Sequence, residues 1–184
     1  MKRFLATFAA AVVMTASLVV SAGEVKSGLD KGARVPAFNV YDVTGPQKGT
    51  ELCYRCRYGN QPVVSIFAKE MNDEVAALAK ELDGVVAHHR DERMAGFVVV
   101  MSDKAEAARP ALAEVAKKNK IEQLPLTTFD GMEGPEGYKI NPKADVTVMM
   151  WVDGKVTSSH AFNKGELNKE AISAVVKSTE ELVK

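Results

Sequence analysis

The two cysteines of this 184-residue chain are Cys53 and Cys56, within "ELCYRCRYGNQP" at residues 51–62. A C-x-x-C pair supports four chemistries, and its neighbours sort them. As a dithiol it exchanges with other thiols: one thiolate attacks and the second sulfur resolves the mixed disulfide. As a disulfide it pins a loop. As two thiolates it is half of a zinc site, and with no second pair present the ligands left to complete it are His88, His89 and His160. Covalent haem attachment needs a histidine directly after the second cysteine, where Arg57 stands.

For exchange, the useful neighbours are Arg55 and Arg57, whose guanidinium groups favour a thiolate at Cys56 between them, and Tyr54 and Tyr58, which offer a flat contact surface. Cys56 is the expected nucleophile and Cys53 the resolving cysteine. No helix is expected until well after Cys56, so the thiol lowering that a helix dipole supplies is not expected. For the staple, closing so short a ring removes little chain entropy, which puts its stabilisation toward the low end of roughly 0–5 kcal/mol. Tight spacing also favours a reducible bond. Two readings stand: exchange with a protein or small-molecule thiol or disulfide partner, and a redox-silent binding or scaffold domain whose disulfide is structural.

Metal ligation ranks lower. His88 and His89 are adjacent and point apart on either a strand or a helix, so "AHHRDER" reads as a solvated turn. Met149, Met150 and Trp151 fit a buried strand better than a copper or oxidation site. Asp145 reads as a strand-end turn residue. No metal or cofactor is expected, and no Ser/His/Asp grouping, phosphate loop or paired acid motif stands out.

The N-terminus bears on the redox state of the pair. Lys2 and Arg3 precede an apolar run over residues 4–20, and Val20-Ser21-Ala22 ends in small residues. This is the layout of a secretory signal peptide cleaved before Gly23, with an uncleaved N-terminal anchor as the alternative, since the run is only slightly short for a bilayer span. Cleavage takes two basic residues and no acidic ones, leaving 22 against 24 and a net charge of −2. Nothing in that balance calls for nucleic acid, and no later run is long and apolar enough for a membrane span. An exported chain, periplasmic or extracellular, meets an oxidising compartment in which two cysteines pair. The expected organisation is a signal peptide at 1–22, a flexible lead-in at 23–34 and one domain at 35–184.

The elements that must position the cysteines alternate in type. Strand-like runs occupy residues 37–43, 62–68, 96–102, 124–130, 145–152 and 155–162, the last two joined by Asp153-Gly154, a strong hairpin signal. Asn72 caps a helix expected to last to Gly84. A second helix lies within 103–119, with Pro110 better suited to its start than its middle, and a third begins at Asn168 with Leu167 and Ile172 as a hydrophobic staple. This order implies an α/β sandwich, a central mixed sheet with helices on both faces.

"GARVPAFNVYDVTG", "NQPVVSIFA", "FVVVMSDKAEAARPALAEVAKKNKIEQLPLTTFD" and "VTVMMWVDGKV" together resemble the thioredoxin-like superfamily, in its redoxin and peroxiredoxin branch, over nearly the whole mature chain. The resemblance implies a thioredoxin-like three-layer sandwich. It also implies a catalytic cysteine at the start of the helix after the first core strand, but this chain has "FAKEMNDEV" there, without cysteine, proline or hydroxyl. Peroxidase chemistry by the family's route is therefore not expected. The family's proline before the strand facing the dithiol is also missing, since "KAD" precedes "VTVMMWV". What remains is the displaced C-x-x-C, in the loop before the first core strand.

Overall fold

The structure, a computed structural model, describes residues 25–183; the expected signal peptide at 1–22 lies outside them. Seven strands form one sheet: β1 (Val40–Asp42), β2 (Glu51–Leu52), β3 (Val63–Ala68), β4 (Ala95–Ser102), β5 (Leu126–Asp130), β6 (Val146–Val152) and β7 (Lys155–Phe162). Their spatial order is β2-β1-β5-β4-β3-β6-β7. The central β3, β4 and β5 are parallel, and β1, β6 and β7 join antiparallel. Every residue of β3 is buried, as a strand covered on both faces must be.

Among the described residues, four α-helices accompany the sheet: α1 (Tyr54–Tyr58), α2 (Asp73–His88), α3 (Ala105–Asn119) and α4 (Lys169–Ser178). The chain steps from β3 to β4 to β5 in one direction, so right-handed crossovers place α2 and α3 on the same face. The last helix, α4, packs beside α2 there, over a core that includes Val64, Val98, Leu78, Leu82 and Val175. The opposite face carries Phe67, Phe97, Val99, Met149 and Trp151. The sandwich thus has helices on both faces, but unequally, because among the described residues the only helix on the second face is the five-residue α1.

Coil completes that second layer, and it overturns the expectation of a flexible lead-in. Residues 25–34 pack: Leu29 is buried, and the Ser27 hydroxyl lies 2.7 Å from Thr147 Oγ1 while accepting from Asn141 N at 2.8 Å. Gly32 N donates to Val156 O at 2.7 Å. A sheet face without a long helix needs cover, and this segment, with Tyr138 from the β5–β6 loop, supplies it.

Two helix boundaries also differ from expectation. The Asn72 side chain accepts from Val75 N as predicted, yet α2 runs past Gly84 to His88. An interior glycine costs about 1 kcal/mol against alanine, and the buried stripe of Leu78, Leu82 and Val86 outweighs it. Pro110 lies inside α3, not at its start. The helix begins earlier because Ala105 is buried and the Ser102 hydroxyl accepts from Lys104 N at 3.0 Å, fixing the turn before it.

Candidate active site

Cys53 and Cys56 form a disulfide with Cα atoms 5.2 Å apart. Contrary to the expectation of a helix-free loop, Cys53 is the N-cap of α1, and its sulfur accepts from Cys56 N at 3.0 Å. Cys56 is exposed and Cys53 half-buried. Cys56 is thus the more accessible residue of the two, while Cys53 sits where a backbone N–H favours negative charge on its sulfur.

The residues around the pair divide into anchors and surface. Tyr54 is not the contact surface expected of it. It is 1% exposed, its ring stacks on Phe97 with centroids 5.3 Å apart, and its hydroxyl donates to Asp42 Oδ2 at 2.9 Å. Asp42 is itself buried and satisfied, accepting also from Gly45 N at 2.6 Å and Gln47 N at 2.8 Å. Gly45 must lack a side chain here, because a Cβ would meet the Tyr54 hydroxyl and the Asp42 carboxylate. Tyr58 is half-buried and donates to Gly96 O at 3.1 Å. Arg55 is occupied as well: Nε donates to Val35 O at 3.2 Å and Nη1 to Gly59 O at 3.1 Å. Arg57 is exposed.

These contacts fix where the pair lies. Tyr58 reaches the first residues of β4, and Arg55 lies against Gly154 in the β6–β7 turn, so α1 sits at the N-terminal end of the parallel strands. The position where the resemblance places a catalytic cysteine is the other end, after Ala68. At about 3.3 Å per residue, the two ends of β3 lie about 17 Å apart. At that far end Lys69 forms an ion pair with Asp145 (3.5 Å) and donates to Pro142 O at 2.6 Å. The strand entrance at 143–146 therefore lies at the opposite end of β3 from Tyr54 and Tyr58.

His88 ends α2, His89 caps it, and His160 lies in β7 opposite Val148. Among the described residues, no group of three or more His, Cys, Asp or Glu side chains is placed to hold a metal. No helix of the described residues is long and apolar enough to cross a membrane. Sequence reasoning passed over Asp42 and Gly45, whose only signal was an aspartate entering the "VTGPQKG" turn.

Burial and the Asp42 carboxylate push the Tyr54 phenol well above its usual value, and burial does the same for Tyr58 and Tyr138. Each phenol holds its proton in the folded state at a pH where the unfolded chain, titrating near about 10, releases it. The stability linked to these protons is complete below about pH 10 and is lost as pH rises above it. Urea titrations at stepped alkaline pH should show that fall, and Tyr54→Phe should shallow its slope. A slope unchanged by the variant would show that Tyr54 contributes nothing to it.

No protein-family model matches the chain, and no curated protein matches it. Solved structures do. A protein assigned as a thiol:disulfide interchange protein DsbE from Chlorobium tepidum is similar with a TM-score of 0.61 and 17% identity, covering 82% of this chain and 98% of that one. One assigned as a protein disulfide isomerase from Bacteroides thetaiotaomicron gives a TM-score of 0.63 and 14% identity over 86% and 94%. The peroxidoxin BcpB from Mycobacterium tuberculosis gives 0.58 and 17% over 84% and 97%. The fold is thioredoxin-like, and the chain carries a disulfide at C-x-x-C spacing.

Proposed function

We propose that this chain is an exported thiol–disulfide exchange protein working through Cys53 and Cys56. The observation that carries the reading is the exposure of Cys56 beside a half-buried Cys53 whose sulfur accepts the Cys56 N–H at 3.0 Å. A partner thiolate attacks Cys56 Sγ, the Cys53–Cys56 bond breaks, and Cys53 leaves as a thiolate held by that N–H. A second partner thiol then displaces Cys56, so the protein disulfide gains two electrons and the partner becomes a disulfide. The reverse sequence has Cys56 attack and Cys53 resolve. Arg57 is the remaining cation next to the exposed Cys56, while Arg55, Tyr54 and Tyr58 hold the helix that presents it. The thiol–disulfide names of two similar structures fit this reading, and export rests on the leader read at residues 1–22.

The disulfide's distance from the usual site favours a second reading, a structural staple on a binding domain. The reduction potential separates the two. The protein is expressed with its leader, its mass is checked for a start at Gly23, and it is equilibrated against glutathione buffers. A potential near or above about −200 mV is expected for exchange, and one below about −300 mV would make the pair a staple.

A further inference from the structure

Beside α1 lies a cavity of about 380 Å³, lined by Arg57, Tyr58, Gln61, Glu92 and Arg93 among others. It sits in the loops at the N-terminal end of β3 and β4 and shares Arg57 with the chain just after Cys56. Arg57 and Arg93 are both exposed, and among the described residues neither is ion-paired. The one lining carboxylate, Glu92, faces His89 Nδ1 at 3.5 Å. Arg93 is held in place: with the Gln61 amide oriented to satisfy both partners, it donates to Arg93 O and accepts from Arg93 Nη2, each at 3.0 Å. Its backbone is left-handed, φ 59°, a conformation that glycine or asparagine adopts at less cost than arginine.

The geometry points to a specificity site: the cavity receives the carboxylate of a small, anionic disulfide or thiol while its sulfur reacts at Cys56. Two guanidinium groups against one partly matched carboxylate favour an anion, and the volume is that of a small-ligand pocket. This inference rests on the exchange reading above. In the reducing direction the Cys56 thiolate attacks one sulfur of the anionic disulfide, whose S–S bond breaks and releases one thiolate. Cys53 then attacks Cys56 Sγ and frees the second. The protein dithiol loses two electrons and two protons, and the disulfide becomes two thiols.

The test follows pre-reduced protein with three disulfides of different charge: dianionic 5,5′-dithiobis(2-nitrobenzoate), neutral bis(2-hydroxyethyl) disulfide and dicationic cystamine. Each rate is divided by that of a small free dithiol, which removes intrinsic reactivity. The anionic-to-neutral ratio should exceed the cationic-to-neutral ratio and should fall about threefold for each arginine removed in Arg57→Gln and Arg93→Gln at low salt. Arg93→Lys should restore part of it, and added salt should flatten it. Taking ratios cancels any change in Cys56 reactivity caused by the lost charge. Equal ratios, or glutamine variants that leave them unchanged, would overturn the anionic specificity while exchange itself stands. No reaction with any of the three would overturn both.

Discussion

Replacing Cys56 with serine is expected to return disulfide exchange to the uncatalysed rate, whereas Cys53→Ser should stop at a stable mixed disulfide on Cys56. The two sulfurs differ in surroundings, not in type. Cys56 is exposed on α1, and Cys53 is half-buried at its cap and accepts the Cys56 N–H. An attacking group needs a clear approach to sulfur, and a leaving sulfur needs its charge stabilised, so the roles follow the environments. Incubating each variant with bis(2-hydroxyethyl) disulfide and locating the adduct by peptide mass spectrometry reads this directly. An adduct that forms as fast on Cys53 in the Cys56→Ser protein would reverse the roles. Neither variant should lose much stability, because so short a ring contributes toward the low end of roughly 0–5 kcal/mol.

The long elements were legible because their signals are local. Buried runs such as "PVVSIFA" become β3, Asn72 and Asn168 accept from the amides that N-caps serve, and Asp153-Gly154 turns β6 into β7. Leu167 is buried with Ile172 packed against the same core, as the staple reading required. What escaped has no local signal. A five-residue helix is far below the length that nucleates alone, so α1 depends on contacts from outside it, among them Tyr54 to Asp42 and Tyr58 to Gly96. The lead-in reads as mobile by composition and is ordered by a sheet face that no sequence window reveals.

The candidate site divides in the same way. The cysteines and their spacing are plain in the sequence, whereas whether their loop runs near the usual site or away from it is not. The structure puts α1 at the N-terminal end of β3, away from the position after Ala68 where the resemblance expects a catalytic cysteine. The partners of the pair are remote in sequence. Asp42 lies 12 residues before Tyr54, and Arg93 meets Gln61 from the loop after α2. The turn expected of "AHHRDER" covers only residues 89–93, because Ala87 and His88 belong to α2, and it says nothing about which cation lies beside the disulfide.

Tyr54→Ala is expected to cost about 3–5 kcal/mol of stability, the range for truncating a large buried aromatic. The ring contacts Phe97 and Tyr58, with centroids 5.3 Å away in each case, and its removal leaves Asp42 buried without one of its donors. Tyr54→Phe isolates the hydrogen bond and should cost about 1–3 kcal/mol, because a buried carboxylate loses a partner while the packing stays. Urea denaturation of the oxidised and reduced proteins tests who holds α1. If the tyrosine anchors it, reducing the disulfide in the unmutated protein should change stability little, and the Tyr54→Ala loss should be similar in both redox states. If the disulfide anchors it, reduction alone should be costly and Tyr54→Ala mild in the oxidised protein. The second pattern would favour the staple, since a bond needed to hold its own loop is poorly suited to being opened in each cycle. The first leaves the disulfide free to open on a helix that stays in place, the arrangement that exchange at Cys56 requires.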